Sequence, residues 1–116
     1  MSFTVEFSES FEEWWHTLDQ GTQESVMFSI HLLGAMGPAL PFPYSSRIRG
    51  SSHHQMRELR VRHGGRAYRV FCLFDLRRIA VLLTGGAKDG SARWYKRYIK
   101  QADRIYYTHL AGLGKI

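Results

Sequence analysis

The chain has 116 residues, 44% hydrophobic and 22% charged, with a net charge of +6 and one cysteine. This composition excludes a disordered tail and a disulfide-stapled miniprotein, since a lone cysteine has no internal partner. No apolar run nears the roughly 18 residues that a bilayer span needs, and the opening MSFTVEFSES has no basic segment ahead of an apolar one, so the expectation is one cytoplasmic domain over residues 1–116.

In chain order, residues 2–7 (SFTVEF) alternate and predict a short strand. Ser10-x-x-Glu13 has the form of a capping box, and Phe11, Trp14, Trp15 and Leu18 follow at helical spacing. Tryptophans could form a ligand platform, but at this spacing beside Leu18 they read as core. A second helix is expected over 22–36, with Val26, Ile30 and Leu33 on one face. Residues 37–52 hold all three prolines and read as a loop. Three strands are expected over 56–63, 66–75 and 78–84, with tight turns at Gly64-Gly65 and at 75–78 (DLRR). Cys72, among Val70, Phe71, Leu73 and Phe74, reads as a small buried hydrophobe rather than a nucleophile. Residues 85–91 (GGAKDGS) read as a glycine-rich loop. They do not form a phosphate-binding P-loop, because the GK[ST] element is missing. Ser91 is the expected cap of a last helix over 92–111, whose inner stripe is Tyr95, Tyr98, Ile99, Ala102, Ile105, Tyr106 and His109. The order strand, helix, helix, three antiparallel strands, helix is an α+β layer, a meander sheet with helices packed on it.

Charge is divided sharply along the chain. Residues 1–46 contain six acids and no Lys or Arg, whereas residues 47–116 contain 16 basic and 4 acidic residues, a net of +12. Twelve of the 16 are arginine, the better fork for phosphate, so the pattern points to a polyanionic partner such as nucleic acid. Five arginines lie in the hairpin alone: Arg57, Arg60, Arg62, Arg66 and Arg69, against one acid, Glu58. Arg69 enters a strand that is otherwise apolar on both sides. A guanidinium there is unfavourable unless it is paired or lies at the mouth of a groove. A Glu58–Arg60 or Glu58–Arg69 ion pair is the structural alternative to a phosphate-binding array.

The ordered set FEEWW, MRELR, YRVFCLFD, VLLTGGAKDG and QADRIYYTHL resembles the HigB-like, phage-derived branch of the RelE/ParE toxin superfamily. The similarity runs from about Phe3 to Leu113. It implies a RelE-like fold, a small twisted sheet that is mainly antiparallel, with two N-terminal helices packed on it and a C-terminal helix. It also implies the toxin of a type II toxin–antitoxin system, a ribosome-dependent mRNA endonuclease working without metal or other cofactor through the RNA 2′-OH. A ParE-like inhibitor of DNA gyrase and a catalytically inactive RNA-binding module are the alternatives. Carried over residue by residue, the resemblance makes Arg60, Arg69 and Lys88 catalytic, and Arg57, Arg62, Arg66, Arg93 and Tyr95 RNA-binding. The loop departs from the family pattern: AKDGSARWYK lacks one lysine and the Thr-Pro, with Arg93 standing in. The implied partners are a helix-turn-helix, HigA-like antitoxin, the ribosome and mRNA, and operator DNA only through the antitoxin, with no membrane.

The residue types suit this chemistry. Cleavage through the 2′-OH needs a base, a donor for the leaving oxygen and stabilisation of a pentacoordinate phosphate. Arginines supply the last with no change of ionisation near neutral pH. Glu58, Asp89, Lys88 or a histidine are the candidates for the base. His53 and His54 lie beside the basic strand but lack the partners of a metal site. The acidic first half offers an acidic antitoxin segment no dock, so the antitoxin is expected against some of Arg57, Arg60, Arg62, Arg69 and Lys96.

Overall fold

The computed structural model describes residues 2–114. Its elements are β1 (Val5–Phe7), α1 (Glu9–Trp15), α2 (Gln20–Met36), β2 (Ser45–Arg47), β3 (Arg57–His63), β4 (Arg66–Phe74), β5 (Ala80–Ala87) and α3 (Ala92–Gly112). The five strands form one sheet in the order β1-β5-β4-β3-β2. β1 runs parallel to β5 and every other pair is antiparallel.

Strand alternation sends one set of side chains to each face of the sheet. Leu59, Val61, Tyr68, Val70, Cys72, Ala80 and Leu82 meet Phe11, Val26, Ile30 and Leu33 of α1 and α2. Met56, Phe71, Leu73, Val81 and Leu83 meet Trp94, Ile99, Ala102 and Tyr106 of α3. The expected α+β layering is present, with the N-terminal pair of helices on one face and α3 on the other. Cys72 is fully buried, and burial pushes its thiol up to about 12, so it behaves as a small hydrophobe. No described helix is long and apolar enough to cross a membrane.

Several local expectations change. Ser8, not Ser10, caps α1: its Oγ accepts from the Phe11 N–H at 3.0 Å and donates to the Leu83 carbonyl at 2.7 Å. Asp19 caps α2 through the Thr22 N–H at 2.8 Å. The Ser91 side chain does not cap α3; its hydroxyl donates to Asp89 at 2.7 Å instead. Trp94, absent from the expected inner stripe, is buried and stacks on Tyr98 with ring centroids 4.3 Å apart. Inside the proline-rich loop lies a short edge strand, β2, pairing Ser45 with Leu59. Gly85 and Gly86 belong to β5 rather than to a loop. A register shift beside Phe71 and Cys72 turns Gly85 toward Trp14 and Gly86 toward Tyr98. A Cβ at either position would lie 2.5 Å from the facing aromatic side chain, so the rings occupy the space that side chains would need.

The far end of the sheet is tied by Asp75, whose side chain is fully buried. Its carboxylate accepts from the Arg77 guanidinium at 2.6 Å and from the Arg77 and Ile79 backbone N–H groups, and it lies 3.0 Å from His109 Nε2 of α3. Arg77 continues to Glu6 of β1 at 2.9 Å. Burial pushes the Asp75 carboxyl up, but the hydrogen bonds from Arg77, His109 and the two N–H groups outweigh it and hold the group at about 2. Its folded pKa is depressed, so its stabilising contribution is complete above the ordinary 3.8 and is lost as pH falls through about 2. Unfolding free energy from urea titrations should therefore fall between about pH 4 and about pH 2, and Asp75→Asn should flatten that fall. An acid limb equally steep in Asp75→Asn would assign the acid sensitivity to other groups.

Candidate functional site

The β3–β4 hairpin turns through Gly64 and Gly65, both at positive φ (57° and 78°), conformations that glycine adopts without strain. Its register sets Arg60 directly opposite Arg69, and Arg62 opposite Ala67. By the strand pleat, Glu58, Arg60, Arg62 and Arg69 share the α3 face of the sheet. Two guanidinium groups facing each other across a ladder repel. The conflict is resolved by Glu58, one step along the same face.

Glu58 Oε2 lies 3.3 Å from Arg60 NH1, and Oε1 lies 3.3 Å from Arg69 Nε. Tyr95, in the first turn of α3, donates its hydroxyl to Glu58 Oε1 at 2.6 Å and accepts from Arg69 Nε at 3.1 Å. The Ser46 hydroxyl of β2 donates to Oε2 at 2.6 Å. Arg69 NH1 also donates to the Tyr68 carbonyl at 3.0 Å. The cluster thus joins β2, β3, β4 and α3. Glu58 and Arg69 are 5% and 6% exposed, so this is an internal ion pair in which both Glu58 oxygens and Arg69 Nε and NH1 are engaged, the arrangement in which a buried charge is tolerated. Burial pushes the Tyr95 hydroxyl upward, reinforced by the Glu58 carboxylate, so it stays protonated at neutral pH.

The expected site residues separate accordingly. Arg60 stands at the edge of the cluster, with a side chain 30% exposed. Arg62 is exposed. Lys88 Nζ lies over the Tyr95 ring, 5.7 Å from its centroid. Arg69, expected as a phosphate-facing group, is instead the buried partner of Glu58. It still lines, with Arg60, Arg62 and Tyr44, a cleft of about 260 Å³. Arg57 is on the opposite face. Its guanidinium donates to Ser45 Oγ at 3.1 Å and to the Leu40 carbonyl, which removes it from the array. Arg66 sits at the hairpin tip over Tyr68, and Arg93 is exposed in the first turn of α3. Arg60, Arg69, Lys88 and Tyr95 come together, Arg62 adjoins them, and Arg57 does not.

Among the candidates for a base, Glu58 is held by Arg60, Arg69, Tyr95 and Ser46 at once. Hydrogen bonds from Ser91, its backbone N–H first, lower the exposed Asp89 carboxyl below its usual range. His63 pairs with Ser25 at 2.8 Å, His53 packs edge-on to Tyr106, and His109 belongs to the Asp75 clasp. Sequence reasoning missed Ser46 as a member of the cluster and the hub role of Glu58. The one acid on a face of arginines was the available signal for the latter.

Arg69→Ala would leave Glu58 charged, buried and short of its closest-buried partner. The expected loss is ~3–5 kcal/mol of unfolding free energy, read as a lower urea midpoint. A midpoint equal to the parent's would show that the pair contributes nothing to folding.

The model of a family described as Phage derived protein Gp49-like (DUF891) matches residues 13–107. The chain is 40% identical over 105 residues to the candidate toxin HigB2 of Mycobacterium tuberculosis, covering 89% of this chain and 52% of that protein. It is 38% identical over 101 residues to the candidate toxin HigB3 of the same organism, covering 86% and 87%. The chain therefore spans about half the length of the first relative and most of the second. Among solved structures, a double mutant of the Escherichia coli toxin RelE in the free state superposes with a TM-score of 0.63 at 16% identity, over 87% of this chain and 98% of that one. RelE in the archaeal RelE–RelB complex of Pyrococcus horikoshii gives 0.57 at 14%, over 78% and 100%. At these identities the two structures show a shared fold.

Proposed function

The chain belongs to the phage-derived Gp49-like family together with HigB-type relatives, and from that premise we propose that it is the toxin of a type II toxin–antitoxin pair that cleaves mRNA on the translating ribosome. The observation that carries this reading is the cluster on the α3 face: Arg60, Arg69 and Lys88 gathered around Glu58 and Tyr95, with Arg62 beside them. A gyrase inhibitor has no need of such an array, which would stabilise the charge of a pentacoordinate phosphate.

In this reading the groups divide their labour. Arg60, tethered to Glu58 by one contact and partly exposed, turns to the scissile phosphate. Lys88 contributes a second positive charge. Glu58 and Arg69 are positioning residues: they fix the Arg60 side chain and the Tyr95 hydroxyl. Tyr95, protonated at neutral pH, carries a proton at the site and a ring for an RNA base. Arg62, Arg66 and Arg93 hold flanking phosphates, whereas Arg57 is withdrawn to the other face. No metal is required, since guanidinium and ammonium groups supply the charge. The chain works as one domain in the cytoplasm. Its partner is a helix-turn-helix antitoxin that alone reads operator DNA and that sets acids against the accessible cations of the basic half, Arg60, Arg62 and Lys96.

Expression without the antitoxin should arrest bacterial growth with protein synthesis failing first in pulse labelling. Arg60→Ala should cut mRNA cleavage by roughly 100-fold or more while leaving the urea midpoint near the parent's, and Lys88→Ala should do less. DNA synthesis stopping while translation continues would replace this reading with gyrase inhibition.

A further inference from the structure

Beside the arginine cluster, a second cleft of about 410 Å³ opens between α2 and β3. β2 covers β3 only at Arg57, Glu58 and Leu59, and the Arg60 N–H is taken by the Tyr44 carbonyl at 3.0 Å. Beyond that point the side of β3 away from β4 has no neighbouring strand among the described residues, and the cleft follows this uncovered edge. It shares Tyr44, Arg60, Val61 and Arg62 with the cleft beside Arg69, so the two form one continuous surface.

Two aromatic residues line it in exposed positions, Phe28 of α2 (61% exposed) and Tyr44 (46% exposed), and a third ring, Phe42 (68% exposed), lies outside the lining beside Arg60. The Arg60 guanidinium lies over the Phe42 ring, 5.0 Å from its centroid. None of the three rings belongs to either core cluster, so core packing does not account for them. Large exposed rings interleaved with arginines are what unpaired nucleotides bind: bases stack on the rings and phosphates meet the guanidinium groups.

The cleft is also polarised. On its α2 side stand Glu24 and Ser25, and Ser25 is bonded to His63 of β3 at 2.8 Å; the His63 ring is seated against Gly21, where a Cβ would come within 2.9 Å of it. On its β3 side stand Arg60 and Arg62. A phosphate on the α2 side would face the Glu24 carboxylate, whereas a neutral base would find hydrogen-bonding groups there. One orientation therefore satisfies both sides: base against Phe28 and Tyr44, phosphate on Arg60 and Arg62.

We propose that the cleft between α2 and the uncovered edge of β3 is a subsite for one unpaired base of the RNA substrate, stacked on Phe28 and Tyr44, next to the nucleotide whose phosphate lies at Arg60. The inference rests on the nuclease reading above and adds to it a determinant of where the RNA is cut. An acidic antitoxin segment can meet Arg60 and Arg62, but Glu24 opposes its entry between α2 and β3.

The test uses the full-length protein and bacterial ribosomes programmed with mRNA blocked at the cleaved nucleotide by 2′-O-methylation. Single abasic nucleotides are stepped through the flanking positions, and binding of labelled toxin is measured. At one position, loss of the base should weaken binding by roughly tenfold, and Phe28→Ala should weaken it similarly with no further loss from the abasic nucleotide. Phe28 is mostly exposed, so the variant should keep the parent's urea midpoint, and Tyr44→Leu gives an independent second reading. The proposal fails if no abasic position matters to the parent, or if the losses from Phe28→Ala and the abasic nucleotide multiply as independent effects. Phe28→Ala that leaves ribosome binding intact but loosens the co-expressed antitoxin would give the cleft to a protein partner instead. A parent protein that leaves unblocked, translated mRNA uncut would overturn the nuclease reading itself, and this inference with it.

Discussion

The interaction on which the rest of this molecule depends is the Glu58 carboxylate between two arginines. The hairpin register forces Arg60 and Arg69 face to face, and without an anion between them the central ladder would carry an uncompensated repulsion in a poorly hydrated place. Glu58 offsets it with both oxygens and in doing so recruits Tyr95 and Ser46. One carboxylate therefore settles how β2 lies on the edge, how the first turn of α3 docks, and which arginine remains accessible. Stability and the proposed chemistry share these atoms, and they are apportioned: Arg69 is used inside, Arg60 is presented outside.

The helix α3 is held at both ends by polar contacts and along its middle by apolar ones. Tyr95 binds the Glu58 cluster, His109 meets Asp75, Ile99, Ala102 and Tyr106 fill the space between, and Trp94 packs beside Tyr95. The two polar clusters lie at opposite ends of the helix and each closes on a buried carboxylate. This explains why α3, the most basic element on its outer side, can be fixed on a sheet that carries most of its own charge at one end.

Much of this architecture is legible in the sequence because alternation and helical spacing carry it. The order of elements, the central hairpin and the apolar faces of α2 and α3 follow from those periods. What is not legible depends on contacts distant in the chain. β2 has no apolar pattern of its own and exists because β3 offers it an edge. Gly85 and Gly86 look like loop residues, yet they are strand, paired with Val70 and Arg69, and Trp14 and Tyr98 fill the space that side chains there would need. Ser10 matches a capping pattern, yet α1 begins at Glu9 and Ser8 caps it, held there by its bond to the Leu83 carbonyl of a distant strand. For the site, an excess of arginine is visible in composition, and alternation already sets Arg57 apart from Arg60 and Arg62. That Arg69 is spent on an internal pair is a fact of tertiary structure, since Tyr95, 26 residues away, completes it.

The parallel pairing of β1 with β5 has a consequence for how the protein is made. Val5, Glu6 and Phe7 find their partners only at Ala80, Val81 and Leu82, so β1 cannot dock until the chain through Leu82 has been made. Contacts of such long sequence separation close late, after their loop entropy has been met by local structure. The arginine cluster is likewise incomplete until Tyr95 is synthesised. β1 can dock once Ala80, Val81 and Leu82 are in place, whereas the Glu58 cluster closes later, when Tyr95 joins it, so the sheet is completed ahead of the arginine cluster.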